Sequence, residues 1–373
     1  MKTFFISLLL ISSTHLIAAD PVLYPVDSPD YDLGHMIKVC GEKRDKKDNC
    51  QDSNGFKRRH AIFKKIVINA PVEKVWKVIT DLERYKSWNP FMPKLEADFS
   101  IGGKIRFVVN LGGIKFPEKL WTQAFEENMR WCWGNKILFK FAGYSQRCRW
   151  LKRLGPNKTV YMTTEKFKGA AAPLINFFQR STLVKGVTKE AKALKYLSEY
   201  EALSFSEGNN VCDGDGVCLP VGDKVGAKEI ILQKELYGTP EQVFAWISDL
   251  PKIQKWLGKF NDQVQSSIST NPYDVGHVRR IKAPFVGVTD ETITIFNQPW
   301  HVRYRATKSS MLKNHYGDML LFNSGTNKTD LLWVIKYDSK YKSDKFLNWF
   351  IDSYLKKGLR QLRRETKKAF KKK

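Results

Sequence analysis

An internal repeat is the feature of this chain that most constrains its fold. The segment from Pro71 to Trp88 recurs from Pro240 to Trp256 with the same spacing of apolar and acidic residues. A chain of 373 residues has room for about two domains, so the repeat predicts two copies of one unit. All matched pairs except Trp76/Phe244 are identical residues. The pairs are Glu73/Glu241, Val75/Val243, Trp76/Phe244, Ile79/Ile247, Asp81/Asp249, Leu82/Leu250 and Trp88/Trp256.

The same order of elements surrounds both copies of the segment. A β-rich run precedes each copy, a short helix begins at its proline, and alternating apolar residues behind it predict hairpin strands. Each unit ends in a helical pattern with apolar residues three and four positions apart. The predicted strands are 62–68, 119–125, 130–134, 145–153 and 160–167, then 229–236, 291–296, 301–306, 318–322 and 330–337, with long helices over 173–202 and 345–370. The stretches 103–106 and 276–279 (Gly-Lys-Ile-Arg and Gly-His-Val-Arg) each open a further strand.

Strands in succession with helices at the ends predict an α+β fold on an antiparallel sheet. We expect a first domain over 61–202 and a second over 227–373, joined by a linker over 203–226 that is rich in Gly, Asp, Asn and Ser. A basic extension with two cysteines, residues 20–60, precedes the first domain.

The repeated segment resembles the START-related superfamily, also called SRPBCC, which includes polyketide cyclase/dehydrase and lipid-transport proteins. The residues that carry the resemblance are Ala70-Pro-Val-Glu-Lys-Val-Trp76 and Thr80-Asp-Leu-Glu-Arg-Tyr-Lys-Ser-Trp-Asn-Pro-Phe91. The resemblance implies tandem helix-grip domains, in which a curved antiparallel sheet wraps a long C-terminal helix and leaves an apolar cavity. Members bind lipids, sterols, polyketides or aromatic molecules, and only some are enzymes.

The N-terminus has the pattern of an export signal. A basic start is followed by an apolar run from Phe4 to Ile11 and by small residues that end at Ala19. We expect cleavage after Ala19 and a secreted or periplasmic chain, since no later run approaches the roughly 18 apolar residues of a membrane span. An uncleaved N-terminal anchor is the alternative interpretation.

Six cysteines in an exported chain favour disulfides. The simplest connectivity joins neighbours, and the alternative is that some of these residues are buried thiols. Their spacing contains no metal-ligand motif, so we predict neither zinc nor another metal or cofactor. The predicted pairs are Cys40–Cys50, Cys132–Cys148 and Cys212–Cys218.

The chain carries 63 Lys and Arg against 38 Asp and Glu, a net charge of +25. Residues 356–373 contribute +9 and residues 38–66 contribute +6. The C-terminal group is either a solvated helix face or a surface that docks on an anionic membrane. Nucleic acid is a less favoured partner because no base-reading motif is present. The predicted membrane-docking residues are Lys356, Arg360, Arg363, Arg364 and Lys367.

Aromatic and polar residues on predicted strands are the candidates for ligand binding. Strand alternation places Trp131 and Trp133 on one face, and His277 and His315 are candidate inward polar groups. Core packing and a solvated strand face are the alternative interpretations. The predicted ligand-binding residues are Trp121, Trp131, Trp133, Phe178, Arg279, Tyr304, His315 and Trp333.

These observations favour a binding or transfer protein for an apolar or amphipathic, lipid-like ligand. The first alternative is an enzyme of the polyketide cyclase/dehydrase type, which close-set histidine and carboxylate groups in the second cavity would favour. The second alternative is an interaction module with filled cavities and a basic docking surface. No nucleophile motif is present, so catalytic residues are not assigned and catalysis is the less favoured interpretation.

Overall fold

The structure, a computed structural model, describes residues 56–111, 113–136, 143–204, 211–212, 218–219, 226–258, 262–267, 269–283, 286–340 and 344–371. The chain divides into two compact units, Met1–Ala202 and Leu203–Lys373. The predicted export signal, most of the basic extension and the predicted Cys40–Cys50 disulfide lie outside the described residues.

Each unit contains a seven-stranded antiparallel sheet. The first sheet has the order β1-β7-β6-β5-β4-β3-β2 and the second has the order β10-β16-β15-β14-β13-β12-β11. The strands are β1 (Ala61–Ile68), β2 (Lys94–Ala97), β3 (Lys104–Leu111), β4 (Ile114–Glu126), β5 (Arg130–Lys136), β6 (Tyr144–Gly155), β7 (Lys158–Lys168), β8 (Val211–Cys212), β9 (Cys218–Leu219), β10 (Lys228–Tyr237), β11 (Asp262–Gln265), β12 (Val278–Ala283), β13 (Gly287–Asn297), β14 (His301–Ser309), β15 (Leu312–Gly325) and β16 (Lys328–Ser339).

Two short helices follow the first strand of each sheet, and a long helix ends each unit. The helices are α1 (Val72–Thr80), α2 (Leu82–Trp88), α3 (Ala172–Phe178), α4 (Arg180–Ser204), α5 (Pro240–Ser248), α6 (Leu250–Leu257) and α7 (Asp344–Phe370). The architecture is a tandem of helix-grip α+β domains, as predicted. No helix among the described residues is both long enough and apolar enough to span a membrane.

Local chemistry sets the helix starts that the repeat preserves. In the second unit, Thr239 and Gln242 form a capping box around the first turn of α5, whose first residue is Pro240. In the first unit, Asp81 caps α2 by accepting a hydrogen bond from the Arg84 amide at 3.2 Å. These contacts explain why threonine, proline and aspartate stand at the boundaries of the repeated segment.

The long helix of the second unit buries one apolar stripe against its sheet. Leu347, Ile351, Leu355, Leu359 and Leu362 are all buried, at three- and four-residue spacing, and pack with the core of β16 and its neighbours. The face of each sheet that contacts its long helix is called the inner face below. Burial of this stripe is the main apolar contribution of α7, at about 25 cal/mol per Å² of buried area.

The helical pattern of the first unit is interrupted where the sequence predicts one continuous helix. Helix α3 ends at Phe178, Gln179 caps it, and α4 begins at Arg180. The short strands β2 and β11 are absent from the prediction because four residues are too few for a clear alternating pattern.

Strands β3 and β12 begin after equivalent glycines, but the equivalence differs by one residue from the sequence match. The sequence pairs Gly103 with Gly276, whereas the structure pairs Gly102 with Gly276. Gly102 and Gly276 adopt positive φ values of 80° and 84°, and the amide of each bonds across to the neighbouring strand. Ile105 of β3 is therefore the structural equivalent of Arg279, whereas Arg106 is exposed. A shift of one residue exchanges the faces of a strand, so only the second unit buries an arginine here.

The structure contains the predicted disulfide between Cys132 and Cys148, which lie directly opposite each other on β5 and β6. Both cysteines are buried on the outer face of the first sheet. Cys212 and Cys218 are also opposite each other, on β8 and β9. Asp318 of the second unit is the equivalent of Cys148, because each lies the same number of residues before its hairpin turn.

Close approach of the long helix requires a glycine in the first unit. A Cβ atom at Gly186 would overlap the ring of Phe91. Replacement of a helical glycine by alanine ordinarily stabilises by about 1 kcal/mol. We expect Gly186→Ala to destabilise the first unit instead, by about 1–3 kcal/mol, because the ring must shift.

The equivalent helical glycine, Gly358, provides the matched control. A Cβ atom there would lie 3.2 Å from Leu257 Cδ1, which is tight but tolerable. The free energies of unfolding from urea titration should therefore fall for Gly186→Ala and stay nearly constant for Gly358→Ala. Equal effects of the two substitutions would contradict the assigned helix packing.

Candidate functional site

The second unit holds a cavity between the inner face of its sheet and the N-terminal half of α7. Its volume is about 70 Å³. The wall is mostly apolar and includes Trp333, Ile335 and Leu355. The polar groups that reach it are Arg279, Thr289, Glu291, Tyr304 and His315. An apolar wall with a few convergent polar side chains is the usual composition of a small-molecule site.

An ion pair is the centre of the polar wall. Arg279 Nε donates to Glu291 Oε2 at 2.9 Å, and the two residues lie directly opposite each other on β12 and β13. His315 Nε2 lies 3.3 Å from Glu291 Oε1. The Arg279 guanidinium stacks on the Tyr304 ring, 4.7 Å from its centroid, and Trp333 Nε1 donates to the Tyr304 hydroxyl at 3.0 Å. These contacts fix the orientation of every polar group in the wall.

The electrostatics keep this wall in a defined charge state. Burial alone would raise the pKa of Glu291, but the neighbouring Arg279 and His315 outweigh it and lower the pKa. Burial and the charge of Glu291 raise the pKa of Tyr304 well above its usual value. Glu291 is therefore an ionised acceptor at neutral pH, and Tyr304 is a neutral phenol.

Two nitrogen atoms of the polar wall have no hydrogen-bond partner within the protein. They are Arg279 Nη1 and His315 Nδ1, and both side chains are buried. A buried donor without a partner costs about 1–3 kcal/mol. An oxygen atom of a bound molecule or of water would recover that cost, so the wall is built to receive an oxygen-bearing group.

The structure brings together all four ligand-binding candidates of the second unit. Arg279, Tyr304, His315 and Trp333 all line the cavity. The sequence analysis missed Glu291, which could have been found from the register, because it is the cross-strand neighbour of Arg279. His277 is buried outside the cavity lining, with its ring 5.3 Å from Tyr273.

The inner face of the first unit is occupied by charged side chains. Arg147 and Arg149 of β6 donate to the two carboxylate oxygens of Glu190 on α4, at 2.7 and 2.8 Å. Glu165 of β7 lies 3.5 Å from Arg147. Tyr85 of α2 also contacts Arg149. All three members of the Arg–Glu–Arg group are almost completely buried.

The arginines govern the ionisation of this group. Burial would raise the pKa of Glu190, but Arg147 and Arg149 outweigh it and lower the pKa. Burial raises the pKa of Glu165 to about 7 despite its contact with Arg147. Burial raises the pKa of Tyr85 to about 12. The group is therefore a permanent charge network in which one carboxyl group, Glu165, titrates near neutrality.

The candidates of the first unit differ in their burial. Trp131 and Trp133 are buried with their rings against the Arg149 guanidinium, at 5.6 and 5.0 Å. Trp121 is half-buried and lies opposite Gly134 in the ladder, and Phe178 is 53% exposed. A role of these residues in ligand binding stays a prediction.

A comparison of equivalent positions explains the difference between the units. The hairpins of β6–β7 and β15–β16 have the same register around their turns, and the long helices are related through Gly186 and Gly358. Charged side chains of the first unit are thereby replaced by glycine or apolar residues in the second. The replacements are Arg147 by Gly317, Arg149 by Met319, Glu165 by Ile335 and Glu190 by Leu362.

The predicted membrane-docking residues lie along α7 beyond the cavity. Arg363 is half-buried and donates to the Glu235 carbonyl at 3.1 Å. The other four residues, Lys356, Arg360, Arg364 and Lys367, are exposed. In the part of the chain that the structure describes, no group of three or more His, Cys, Asp or Glu side chains could hold a metal ion.

A family model described as "Polyketide cyclase / dehydrase and lipid transport" matches residues 59–196 and 232–367. These residues make up more than half of the chain, and the chain belongs to this family. The match confirms the resemblance found in the repeated segments. No curated protein matches the sequence significantly.

Solved structures of similar fold include two proteins with two domains. The di-domain ARO/CYC BexL from the BE-7585A biosynthetic pathway is 10% identical, with 81% of this chain and 97% of that chain covered and a TM-score of 0.34. The di-domain ARO/CYC StfQ from the steffimycin biosynthetic pathway is 9% identical, with coverages of 83% and 99% and a TM-score of 0.32. A START superfamily protein from Mycobacterium smegmatis is 17% identical, with coverages of 39% and 98% and a TM-score of 0.30. These likenesses concern the fold and carry no argument about ligand or reaction.

Removal of the shared carboxylate should unfold the first unit readily. Glu190→Gln leaves Arg149 buried without a counter-charge and Arg147 with only its 3.5 Å contact to Glu165, so we expect a loss of about 3–5 kcal/mol in the free energy of unfolding. Urea titration monitored by tryptophan fluorescence measures the effect. Glu73→Gln, which removes an exposed ion pair with Arg153, is the control and should cost less than about 1 kcal/mol. Similar losses for both variants would contradict the role given to Glu190.

His277 should make the second unit sensitive to mild acid. Burial, with the nearby charge of Arg279, lowers the pKa of His277 from 6.5 to about 4. The unfolded chain therefore binds a proton in this range that the folded chain does not, and stability falls as the pH drops through it. Between pH 6.5 and 5 we expect a loss of about 2 kcal/mol that His277→Gln removes. Chemical denaturation at the two pH values measures it, and an identical loss in wild type and variant would contradict the assignment.

Proposed function

We propose that this chain, as a member of the polyketide cyclase/dehydrase and lipid transport family, binds a compact apolar molecule that carries an oxygen group. The second unit holds this ligand in its cavity, for sequestration or transfer. The observation that carries the proposal is the pair of buried nitrogens without protein partners, Arg279 Nη1 and His315 Nδ1, in an otherwise apolar wall. With the imidazole proton on Nε2 facing Glu291, a hydroxyl group satisfies both nitrogens, because it accepts from Arg279 Nη1 and donates to His315 Nδ1. A carbonyl or carboxylate oxygen satisfies Arg279 Nη1.

The size of the cavity limits the ligand. Sites for drug-sized molecules enclose about 300–1,000 Å³, and this cavity encloses about 70 Å³. A single ring or the end of a chain suits this space. A larger ligand requires movement of wall residues such as Val286 and, on α7, Ile351 and Tyr354.

The first unit supports the fold and does not bind this ligand in our proposal. Its inner face carries the network of Arg147, Arg149 and Glu190 where the second unit has small or apolar side chains. A ligand would have to displace fully buried ion pairs, and exposure of either partner alone costs about 3–5 kcal/mol. One binding site for each chain follows.

A second candidate function, catalysis of the cyclase/dehydrase type, is favoured by one observation. His315 lies 3.3 Å from the Glu291 carboxylate, and such a contact orients an imidazole as a general base. With a ligand carbonyl on Arg279, His315 would remove a proton from the adjacent carbon. The resulting enolate would attack a second carbonyl of the same ligand and close a ring. The π bond of that carbonyl would open to an alkoxide, which would take the proton back from His315 and become a hydroxyl group. Loss of turnover with retained ligand binding in His315→Gln would support this candidate.

The export of the chain belongs to the proposal and rests on the N-terminal segment alone. A binding protein outside the cytoplasm would take up its ligand from the medium or from a membrane. Mass analysis of the secreted chain would determine whether residues 1–19 are removed.

A substitution that fills the cavity should abolish binding. Val286 lines the cavity and is 7% exposed, so Val286→Phe places a ring in the ligand space. We expect the affinity for phenol, a single ring with one hydroxyl group, measured by isothermal titration calorimetry, to fall at least about tenfold. Val288→Phe, at an exposed position nearby on β13, is the matched control and should bind as wild type does.

The polar wall should also distinguish ligands of the same shape. Phenol should bind wild type about tenfold more tightly than benzene, because one hydrogen bond to a buried charged group contributes about 1.5–3 kcal/mol. Circular dichroism verifies that both variants are folded. Equal affinities for the two compounds, or equal phenol binding in Val286→Phe and Val288→Phe, would show that the cavity is not the binding site.

A further inference from the structure

Large apolar side chains are exposed at the start of the long helical segment in both units. In α7, Phe346 is 54% exposed and Trp349 is 63% exposed. In α3, Leu174 is 48% exposed and Phe177 is 82% exposed. Single exposed apolar residues are common on soluble proteins. Here they are paired on one helical turn, with the rings of Phe346 and Trp349 centred 6.0 Å apart.

The exposed residues occupy equivalent positions in the two units. The stretch Leu174-Ile-Asn-Phe-Phe178 matches Phe346-Leu-Asn-Trp-Phe350 with the same shift that relates Gly186 to Gly358. The two units differ at many inner-face positions yet both keep an exposed aromatic side chain at this turn. These exposed aromatic side chains contribute to neither hydrophobic core. Their presence in both units therefore points to a contact with a partner outside the domain.

A basic groove lies at the same end of the second unit. It has a volume of about 410 Å³ and includes Lys308, Lys313, Asn314 and Lys340, with no carboxylate in its lining. All three lysines are exposed. They belong to the end of β14, the start of β15 and the residue after β16, which precedes α7 in the chain. Positive charge and exposed aromatic rings are therefore located together at the helix start.

The groove and the aromatic residues both continue into the cavity. Leu312 lines the groove and the cavity, and Thr289 of the cavity wall is hydrogen-bonded to Ser309 of the groove at 2.9 Å. Along α7, the rings of Phe346, Phe350 and Tyr354 follow one another at 6.4 and 6.2 Å. Tyr354 lines the cavity. This end of the unit is the mouth of the cavity.

We propose that the mouth patch, defined as Phe346, Trp349, Lys308, Lys313 and Lys340, docks on an anionic phospholipid bilayer. The two rings lie at the boundary between head groups and acyl chains, where aromatic side chains are enriched in membrane proteins. The lysines bind phosphate and carboxylate groups of the lipid heads. The cavity mouth then faces the bilayer, so an apolar ligand enters or leaves without crossing water.

The combination of charge and apolar surface selects this partner. A duplex nucleic acid would use the lysines but would leave Phe346 and Trp349 in water, because its bases are already stacked on one another. The basic C-terminal half of α7 carries more charge but is a poorer docking surface for transfer. Lys367 lies 18 residues beyond Trp349 in α7, about 27 Å along the axis at 1.5 Å per residue. Docking there would leave the cavity mouth away from the membrane.

Vesicle flotation of the full chain tests the proposal. The vesicles are phosphatidylcholine alone, or phosphatidylcholine with about one-third phosphatidylserine. We expect binding to the anionic vesicles only. The triple variant Lys308→Gln, Lys313→Gln, Lys340→Gln should lower the partition coefficient roughly a hundredfold. The double variant Phe346→Ser, Trp349→Ser should lower it about tenfold.

A matched control removes the same number of charges from the other half of α7. The variant Arg360→Gln, Arg364→Gln, Lys367→Gln should bind anionic vesicles within about twofold of wild type. A loss in this control equal to that of the lysine triple would overturn the proposal in favour of the C-terminal half. Equal binding to both vesicle types, or stronger binding to duplex DNA than to anionic vesicles, would overturn it as well.

Brominated lipids give a second and independent measurement. They quench tryptophan only when the ring lies within the bilayer, and Trp349 is the exposed tryptophan of the patch. Quenching by brominated anionic vesicles should be strong in wild type and largely lost in Trp349→Phe, which keeps an aromatic ring for docking. Undiminished quenching in Trp349→Phe would overturn the proposal. The assay needs no cavity ligand, so it can fail while the proposed ligand binding succeeds, and the reverse.

Discussion

The burial of one apolar stripe of a long helix against an antiparallel sheet is the interaction on which the second unit depends. Every other element is arranged around it: α5 and α6 close one end, and the hairpins supply the inner face. The N-terminal part of α7 presents Ile351 and Leu355 to a gap, whereas Leu359 and Leu362 are tightly enclosed. The cavity is thus a place where the sheet and helix separate, and its polar wall comes from the four consecutive strands β12 to β15.

The same framework holds two different interiors. In the first unit, a carboxylate on the helix lies between two arginines of the sheet, and this charged group occupies the inner face. In the second unit, the ion pair of Arg279 and Glu291 belongs to neighbouring strands, so it needs no charge from the helix. The two interiors therefore differ at a few inner-face positions that leave the fold unchanged.

The repeat, the strand order and the long second helix could be predicted because each rests on a pattern of many residues. The residues of the cavity could be predicted only in part. Arg279, Tyr304 and His315 were identified as polar or aromatic residues, but their partner Glu291 depends on strand pairing. Register shifts within β4, β13 and β15 exchange the strand faces, and no local pattern in the sequence specifies them. The burial of Arg279 beside the exposure of Arg106 has another cause, the one-residue offset between Gly102 and Gly276, since the β3–β4 and β12–β13 ladders are regular.

The pairing of β5 with β6 and of β14 with β15 has a consequence for how the two halves respond to their surroundings. Cys132 and Cys148 link the first pair covalently, whereas Arg303 and Asp318, directly opposite each other, link the second by an ion pair at 2.7 Å. A reductant acts on the first link and leaves the second intact. Acid acts on the second, since protonation of Asp318 removes its charge, and leaves the first intact. The two links therefore break under different conditions. Burial alone would raise the pKa of Asp318, but His301 and Arg303 outweigh it and lower the pKa, so only acid stronger than that which titrates an ordinary aspartate breaks the second link.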